Sequence, residues 1–230
     1  MSIETRYARL VDEVASVCRA CGRDPREVTI VAVSKTVGPA EVARAVAAKA
    51  RDFGENRPDG LIEKQAAFPD ATWHFIGNIQ SRRIRDIVGR ASLIHSLLDA
   101  HHASRIDAAA REAGIVQDVL LEANVSGEAS KSGVAPAEAK ALLEQCLALP
   151  NLRVRGLMTM APQGSAEAAR ACFEGLRALR DELAAAYPEA ADEGLLHDLS
   201  MGMSEDWREG IAAGATIIRI GRAVFDDAFE

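Results

Sequence analysis

The sequence has no apolar run approaching the roughly 20 residues that a membrane-spanning helix needs. Its first six residues, MSIETR, lack the basic and then apolar regions of a secretory signal. It also lacks an excess of basic residues: 27 lysines and arginines face 34 aspartates and glutamates, which gives a net charge of −7. We therefore expect a cytoplasmic protein with no membrane association and no nucleic-acid partner.

Cysteine is scarce as well, because four in 230 residues are too few for a disulfide framework. Cys18 and Cys21 have the spacing of a metal or redox pair, but no second such pair accompanies them, so we predict no metal site. No repeat, low-complexity segment or linker divides the sequence. With 48% apolar and 27% charged residues, we expect one folded domain over residues 1–230.

Short β-branched runs alternate with longer stretches of helical period, a pattern typical of parallel strands joined by helices. The predicted strands are 28–34, 52–54, 72–77, 93–96, 116–125, 153–158, 196–200 and 216–221. Helices are predicted at 39–49, 60–67, 81–88, 100–113, 136–148, 166–186 and 203–213, with an extra N-terminal helix at 3–19. Eight such units predict an α/β fold, a single (β/α)8 TIM barrel. An open doubly wound sheet is the alternative.

Reactive groups of such barrels lie at the C-terminal ends of the strands. Lys35 follows the first strand, where partial desolvation would favour a neutral, nucleophilic amine. The alternative is a surface lysine whose stem lies over the rim. Asn56 follows the second strand and can contact a ligand or simply cap a helix. His74 lies within the third strand, and we interpret it as a hydrogen-bonded core histidine.

The loops after strands seven and eight are where barrels often bind phosphate. Gly202 and Gly221 let the main chain approach an anion closely, and the hydroxyls of Ser200 and Ser204 can donate to it. Turns of no functional meaning are the alternative. A phosphate site at one side of the rim and an amine at another suit the two ends of one cofactor, pyridoxal 5′-phosphate (PLP).

Seven motifs together resemble the pyridoxal phosphate homeostasis proteins, in the right order and over the whole chain. They are Val33-Ser34-Lys35-Thr36, Phe53-Gly54-Glu55-Asn56, His74-Phe75-Ile76-Gly77, Ser130-Lys131-Ser132-Gly133, Gly156-Leu157-Met158, Ser200-Met201-Gly202-Met203-Ser204 and Arg219-Ile220-Gly221. The resemblance implies a barrel related to the N-terminal domain of bacterial alanine racemase, with PLP held as a Schiff base on Lys35.

The resemblance also implies a role for residues around the rest of the cofactor. It places Asn56 near the cofactor ring and Arg219 opposite the pyridine nitrogen, with Ser200, Ser204, Gly221 and the backbone amide of Arg222 around the phosphate. Two positions depart from the family's pattern. Arg57 stands where an aromatic residue is common, and Asp226 follows Phe225 where glycine is usual.

We expect a carrier of PLP rather than a catalyst. Racemisation needs an acid or base on each face of the substrate, and Lys35 can serve only one. Alanine racemase takes the other, a tyrosine, from a second domain, whereas this chain ends soon after strand eight. Its two tyrosines, Tyr7 and Tyr187, are predicted away from the barrel mouth.

The resemblance implies a role in vitamin B6 and amino-acid homeostasis, with apo-forms of PLP enzymes as transient partners. Without the racemase's second domain, we expect a monomer. Two other interpretations stay open: a small racemase-like enzyme that uses PLP on amino acids, and a barrel enzyme that acts on a phosphorylated metabolite without PLP.

Overall fold

The computed structural model describes residues 1–128 and 131–229. Its eight parallel strands form a closed barrel, in which each strand pairs with the next along the chain and the last pairs with the first. This closure confirms the (β/α)8 barrel and excludes the open sheet. The strands are β1 (Thr29–Val33), β2 (Asp52–Glu55), β3 (Thr72–Phe75), β4 (Leu93–Leu97), β5 (Gln117–Glu122), β6 (Leu152–Met158), β7 (Asp198–Ser200) and β8 (Ile217–Ile220).

Helices cover the outside of this barrel. They are α1 (Ile3–Ala20), α2 (Pro39–Ala47), α3 (Pro58–Ala67), α4 (Ile84–Ile87), α5 (Ala100–Glu112), α6 (Pro136–Leu147), α7 (Ala166–Ala186), α8 (Pro188–Asp192), α9 (Trp207–Ala213) and α10 (Arg222–Phe225), with 3-10 turns at Pro25–Glu27 and Ser81–Arg83. The extra N-terminal helix is confirmed, and α1 packs against α2, α9 and α10. In the part of the chain that the structure describes, no helix combines the length and apolarity needed to cross a bilayer.

Several predicted boundaries of helices were wrong, for local reasons. The helix predicted from Met203 begins only at Trp207, because the Asp206 carboxylate accepts a hydrogen bond from the Met203 amide at 2.6 Å and closes a separate turn there. The helix predicted over 81–88 begins instead as a 3-10 turn. A short helix that was not predicted, α8, begins at Pro188, because proline at the first helical position loses no hydrogen bond.

The barrel encloses both apolar and polar side chains. An apolar cluster inside it consists of Val31, Val33, Leu93, Leu120, Met158 and Ile217. The larger core lies between the sheet and the helices. Several polar residues within the strands are nonetheless buried, among them His74, His95, Ser200 and Arg219. Because burial of an unpartnered polar group is costly, these side chains need partners inside the barrel.

A buried ion pair anchors the end of β1. Lys64 of α3 donates from Nζ to Oε1 of Glu55 at 2.5 Å and to the carbonyl oxygen of Ser34 at 2.7 Å. The Ser34 hydroxyl donates to the same carboxylate oxygen at 2.6 Å. Lys64 is 4% exposed and Glu55 is 2% exposed, so solvent screens this pair little. The arrangement holds in place the residue immediately before Lys35.

We expect Lys64→Met to lower the free energy of unfolding by about 3–5 kcal/mol, because it leaves the Glu55 carboxylate buried without its cation. Urea denaturation measures this. The control is Arg85→Ala, which removes an exposed pair with Glu112 and should cost less than about 1 kcal/mol. A loss in Lys64→Met no larger than in Arg85→Ala would show that the buried pair is dispensable.

Candidate functional site

The sequence-predicted residues converge on four adjacent strands, β7, β8, β1 and β2. Val33 of β1 pairs with Gly54 of β2, and Lys35 and Asn56 each lie two residues beyond this pair. On the other side of β1, a Cβ added to Gly221 would lie 3.4 Å from the Val33 carbonyl oxygen. The chain therefore brings the candidate amine, the candidate ring contact and the phosphate loops to one arc of the C-terminal rim.

Lys35 lies in a turn immediately after β1, which the Val37 amide closes by donating to the Ser34 carbonyl oxygen at 3.1 Å. The residue is exposed, so the partial burial expected of its amine is not seen. The strand end beneath it is nevertheless fixed, because Ser34 is held by Glu55 and Lys64. The side chain of Lys35 is therefore accessible, whereas the strand end that carries it is held in place.

Asn56 is held by the end of β3. A Cβ added to Gly77 would lie 2.0 Å from the Asn56 carbonyl oxygen, so only glycine allows the two segments to meet this closely. The carbonyl of Gly77 accepts a hydrogen bond from the Ser96 hydroxyl at 2.5 Å, which fixes that segment in turn. Asn56 is half-buried at the rim, and its position is set by backbone packing.

The loops after β7 and β8 form the candidate anion site. Gly202 has φ +98°, and a Cβ added there would lie 2.9 Å from Trp207 Cα, so this position requires glycine. The Ser204 hydroxyl accepts from the Ala223 amide at 3.2 Å and ties the two loops together. Because α10 begins at Arg222, the amides of Gly221 and Arg222 have no intrahelical acceptor. Backbone N–H groups in this arrangement suit a phosphate.

Arg219 lies below this rim, inside the barrel, and is 5% exposed. Its Nη1 donates to Ser200 Oγ at 2.6 Å and its Nη2 to the Thr159 carbonyl oxygen at 3.0 Å. Burial lowers the pKa of Arg219 to about 10, against the opposing charges of Asp206 and Glu122, so the guanidinium is charged at neutral pH. A guanidinium has five N–H groups, and those beyond these two bonds can serve a ligand.

The Ser200 hydroxyl lies beside this guanidinium rather than at the rim. It is fully buried and its second partner is His95 Nδ1 at 2.9 Å. Its predicted contact with phosphate stays a prediction. Lys131, in the loop after β5, donates to the Met160 carbonyl oxygen at 3.1 Å, whereas Ser130 of the same motif lies outside the described residues.

Four residues around Arg219 did not stand out in the sequence. Thr159 supplies a carbonyl, His95 binds Ser200, and Glu122 and Asp206 supply negative charge. Burial raises the pKa of Glu122, and the Arg219 charge opposes the rise. The signal that could have found Glu122 and His95 is the alternation of their strands, which turns every second side chain into the barrel.

Both tyrosines lie in or at the end of helices outside the barrel. Tyr7 is buried in α1 on the outside of the barrel, and burial raises its pKa to about 12. The Tyr187 hydroxyl donates to Glu144 of α6. Tyr187 lies at the C-terminal end of α7, which is the end opposite the rim because the helices run antiparallel to the strands.

The segment after α10 is tied to the N-terminal helix. Arg6 of α1 donates from Nε to the Val224 carbonyl oxygen at 2.7 Å and pairs through Nη1 with the Asp227 carboxylate. Arg6 is buried although Asp227 is exposed. Asp227 thus ties this segment to α1, whereas Asp226 accepts a hydrogen bond from the Ala228 amide at 2.9 Å.

Comparison with known proteins gives a consistent result. The family model described as "Alanine racemase, N-terminal domain" matches residues 8–228. The chain is 40% identical to a pyridoxal phosphate homeostasis protein of Aquifex aeolicus, covering 96% of each chain. It is 43% identical to one of Pseudomonas aeruginosa, over 97% of this chain and 95% of the relative.

A solved structure of a similar protein is that of PipY from Synechococcus elongatus with PLP bound. It is 36% identical to this chain, with a TM-score of 0.80, over 94% of this chain and 99% of PipY.

His95 makes the stability of the protein pH-dependent. Burial, assisted by His74 and the Arg219 charge, lowers the pKa of His95 well below its ordinary value of 6.5. The unfolded chain therefore takes up a proton below about pH 6.5 that the folded chain excludes, and the free energy of unfolding falls as the pH falls, by up to ~1.4 kcal/mol per pH unit. Urea denaturation from about pH 7 to pH 5 measures the free energy of unfolding of the wild type and of His95→Gln. We expect this free energy to change less steeply with pH in the variant.

The matched control is His197→Gln, because His197 is exposed. Equal slopes in the wild type and in His95→Gln would contradict the assignment to His95.

Proposed function

This chain belongs to the pyridoxal phosphate homeostasis proteins, a family built on the alanine racemase N-terminal domain, and we propose that it binds PLP as a carrier. Its role is to hold PLP for vitamin B6 and amino-acid homeostasis, not to turn over a substrate. The observation that carries the proposal is the convergence of an exposed lysine, two candidate anion-binding loops and a buried arginine on three adjacent strands, β7, β8 and β1.

The residues present fit the chemical groups of PLP. The Lys35 amine holds the aldehyde carbon as a Schiff base, and Asn56 lies beside the ring. Ser204, Gly202, Gly221 and the Arg222 amide would hold the phosphate, with backbone N–H groups as donors. A remaining Arg219 N–H donates to the ring nitrogen, and the Ser200 hydroxyl holds that guanidinium in place.

Two features support a carrier rather than a catalyst. When bound, PLP supplies an electrophilic carbon and a ring that withdraws electrons. Arg219 donates N–H groups and cannot accept a proton from the ring nitrogen, so the ring stays neutral and withdraws electrons less strongly. Tyr7 packs in the core between the barrel and its helices, and Tyr187 lies at the end of α7 opposite the rim, so neither faces Lys35 as a second base.

The proposal includes the setting in which such a carrier works. The net charge of −7 disfavours a nucleic-acid partner, and we place the protein in the cytoplasm as a monomer. Its transient partners are apo-forms of PLP enzymes, which accept the cofactor from the exposed Lys35 side of the rim.

The central experiment identifies the attachment point. We expect wild-type protein given PLP and then borohydride to carry a pyridoxyl group on the peptide containing Lys35, as read by peptide mass mapping. Lys35→Ala should lose this adduct and the visible absorption band, because no other amine replaces it. The control is Lys131→Ala, which removes the other lysine of the barrel mouth and should keep both signals.

An adduct on Lys131 in the wild type, or an unchanged band in Lys35→Ala, would contradict the assignment of Lys35. A protein that binds inorganic phosphate but stays colourless with PLP would favour the barrel enzyme acting on phosphorylated metabolites.

A second experiment separates a carrier from a racemase-like enzyme. We expect the PLP-loaded protein in deuterated water to show no sustained exchange of the α-proton of L- or D-alanine, because only Lys35 is available as a base. Proton NMR over several hours measures this, with an alanine racemase as the positive control. Exchange that continues through many turnovers and is lost in Lys35→Ala would establish a catalyst instead.

A further inference from the structure

A continuous chain of hydrogen-bonded side chains crosses the inside of the barrel. Arg219 Nη1 lies 2.6 Å from Ser200 Oγ, which lies 2.9 Å from His95 Nδ1. His95 Nε2 lies 2.9 Å from His74 Nδ1, and His74 Nε2 lies 3.3 Å from Asp52 Oδ1. The five residues belong to β8, β7, β4, β3 and β2. All but Asp52 are buried, at 5% exposure or less.

The two ends of this chain reach different faces of the barrel. Arg219 lies below the C-terminal rim, beside the candidate site. Asp52 is the first residue of β2 and lines a cleft of about 330 Å³ at the N-terminal end, together with Thr29, Asp118, Asp198 and Ile217, each at or near the start of its strand. The chain of hydrogen bonds therefore connects the interior of the proposed site with the cleft at the N-terminal end of the barrel.

The chemistry of the ends fixes the direction of every bond between them. Arginine only donates, so Ser200 Oγ accepts and its single hydrogen is left for His95 Nδ1. His95 then carries its proton on Nε2 and donates to His74 Nδ1, and His74 donates from Nε2 to the Asp52 carboxylate, which only accepts. The reverse direction would leave the buried Ser200 hydrogen without a partner and turn a lone pair of His74 toward a carboxylate.

We propose that this one-way chain positions Arg219 for the ring nitrogen of PLP, which makes His95, His74 and Asp52 positioning residues of the site. The inference rests on the proposed function. Ser200 and the Thr159 carbonyl oxygen hold two N–H groups of Arg219, and the oriented chain behind Ser200 keeps that serine an acceptor. The carboxylate of Asp52 lies at the far end of the hydrogen-bonded chain. Its negative charge favours N–H and O–H groups that point toward Asp52, and this leaves an acceptor oxygen facing the guanidinium.

The assignment has a consequence for Ser200 itself. Its only hydrogen is directed at His95, so the hydroxyl has none to give to a phosphate. The hydroxyl of Ser204 and the amides near Gly221 then carry the phosphate, and Ser200 serves the ring end of the cofactor through Arg219.

The first test requires no cofactor. Side-chain 1H–15N correlation NMR of uniformly labelled protein at neutral pH reports which ring nitrogen carries the proton, with His74→Gln and His95→Gln used to assign the signals. We expect both His74 and His95 to be neutral, with the proton on Nε2. A proton on Nδ1 of either residue, or a doubly protonated ring, would overturn the one-way chain.

The second test measures positioning in the loaded protein. In Asp52→Ala, His74 Nε2–H loses its acceptor, and we expect a shifted 15N resonance of pyridine-labelled PLP and about tenfold weaker PLP binding, as for the loss of a charge-assisted hydrogen bond. The matched control is Asp118→Ala, which lines the same cleft but pairs with Arg153. It should leave both readouts unchanged.

His95→Leu and His95→Gln separate positioning from mere packing. Glutamine keeps one acceptor and one donor, so His95→Gln should retain more of the wild-type 15N shift and affinity than His95→Leu. Should wild-type protein bind PLP while Asp52→Ala shows unchanged affinity and an unchanged 15N shift, the positioning role is overturned and PLP binding stands. Should wild-type protein fail to bind PLP at all, the proposed function and the positioning role fall together, whereas the NMR test still decides the direction of the chain.

Discussion

A guanidinium charge inside the barrel is the constraint to which the rest of the interior is adapted. Arg219 is 5% exposed, and an isolated charge at such a place would be very costly. The interior therefore departs from the apolar packing usual in small barrels, with a hydroxyl, a carbonyl and two carboxylates around the guanidinium. Its pKa of about 10 keeps it charged at neutral pH, so the site retains a permanent donor.

Closure of the barrel gives this charge its neighbours. Because β8 pairs with β1, the last strand of the chain lies beside the first, and residues about 180 positions apart in sequence share one rim. The same closure places Gly221 against Val33 and ties Asp227 to Arg6 of α1. In an open sheet β1 and β8 would not pair with each other. Lys35 and the loops after β7 and β8 would then not share one rim.

The sequence predicted the eight strands and most helices, because their periodicity and turn residues are local properties. Lys35, Asn56 and the loops around Gly202 and Gly221 were found for the same reason, since each follows a strand directly. The exposure of Lys35 and the start of α9 at Trp207 were not found, because they depend on a turn and on the Asp206 side chain. The link from His74 to His95 joins two strands through space, and no spacing in the sequence reports it.

Under the proposed function, the exposed position of Lys35 suits a carrier better than a catalyst. A catalytic lysine is usually enclosed, because exclusion of water strengthens the electrostatic interactions that accelerate the reaction. Here the Glu55–Lys64 pair holds the end of β1, and the hydrogen bond to Ser200 holds Arg219 inside the barrel, whereas Lys35 itself lies at the surface. For the carrier proposed here, this division would be an advantage: the buried groups would select the ligand, and an incoming amine would reach a carbon held on Lys35 without unfolding the site.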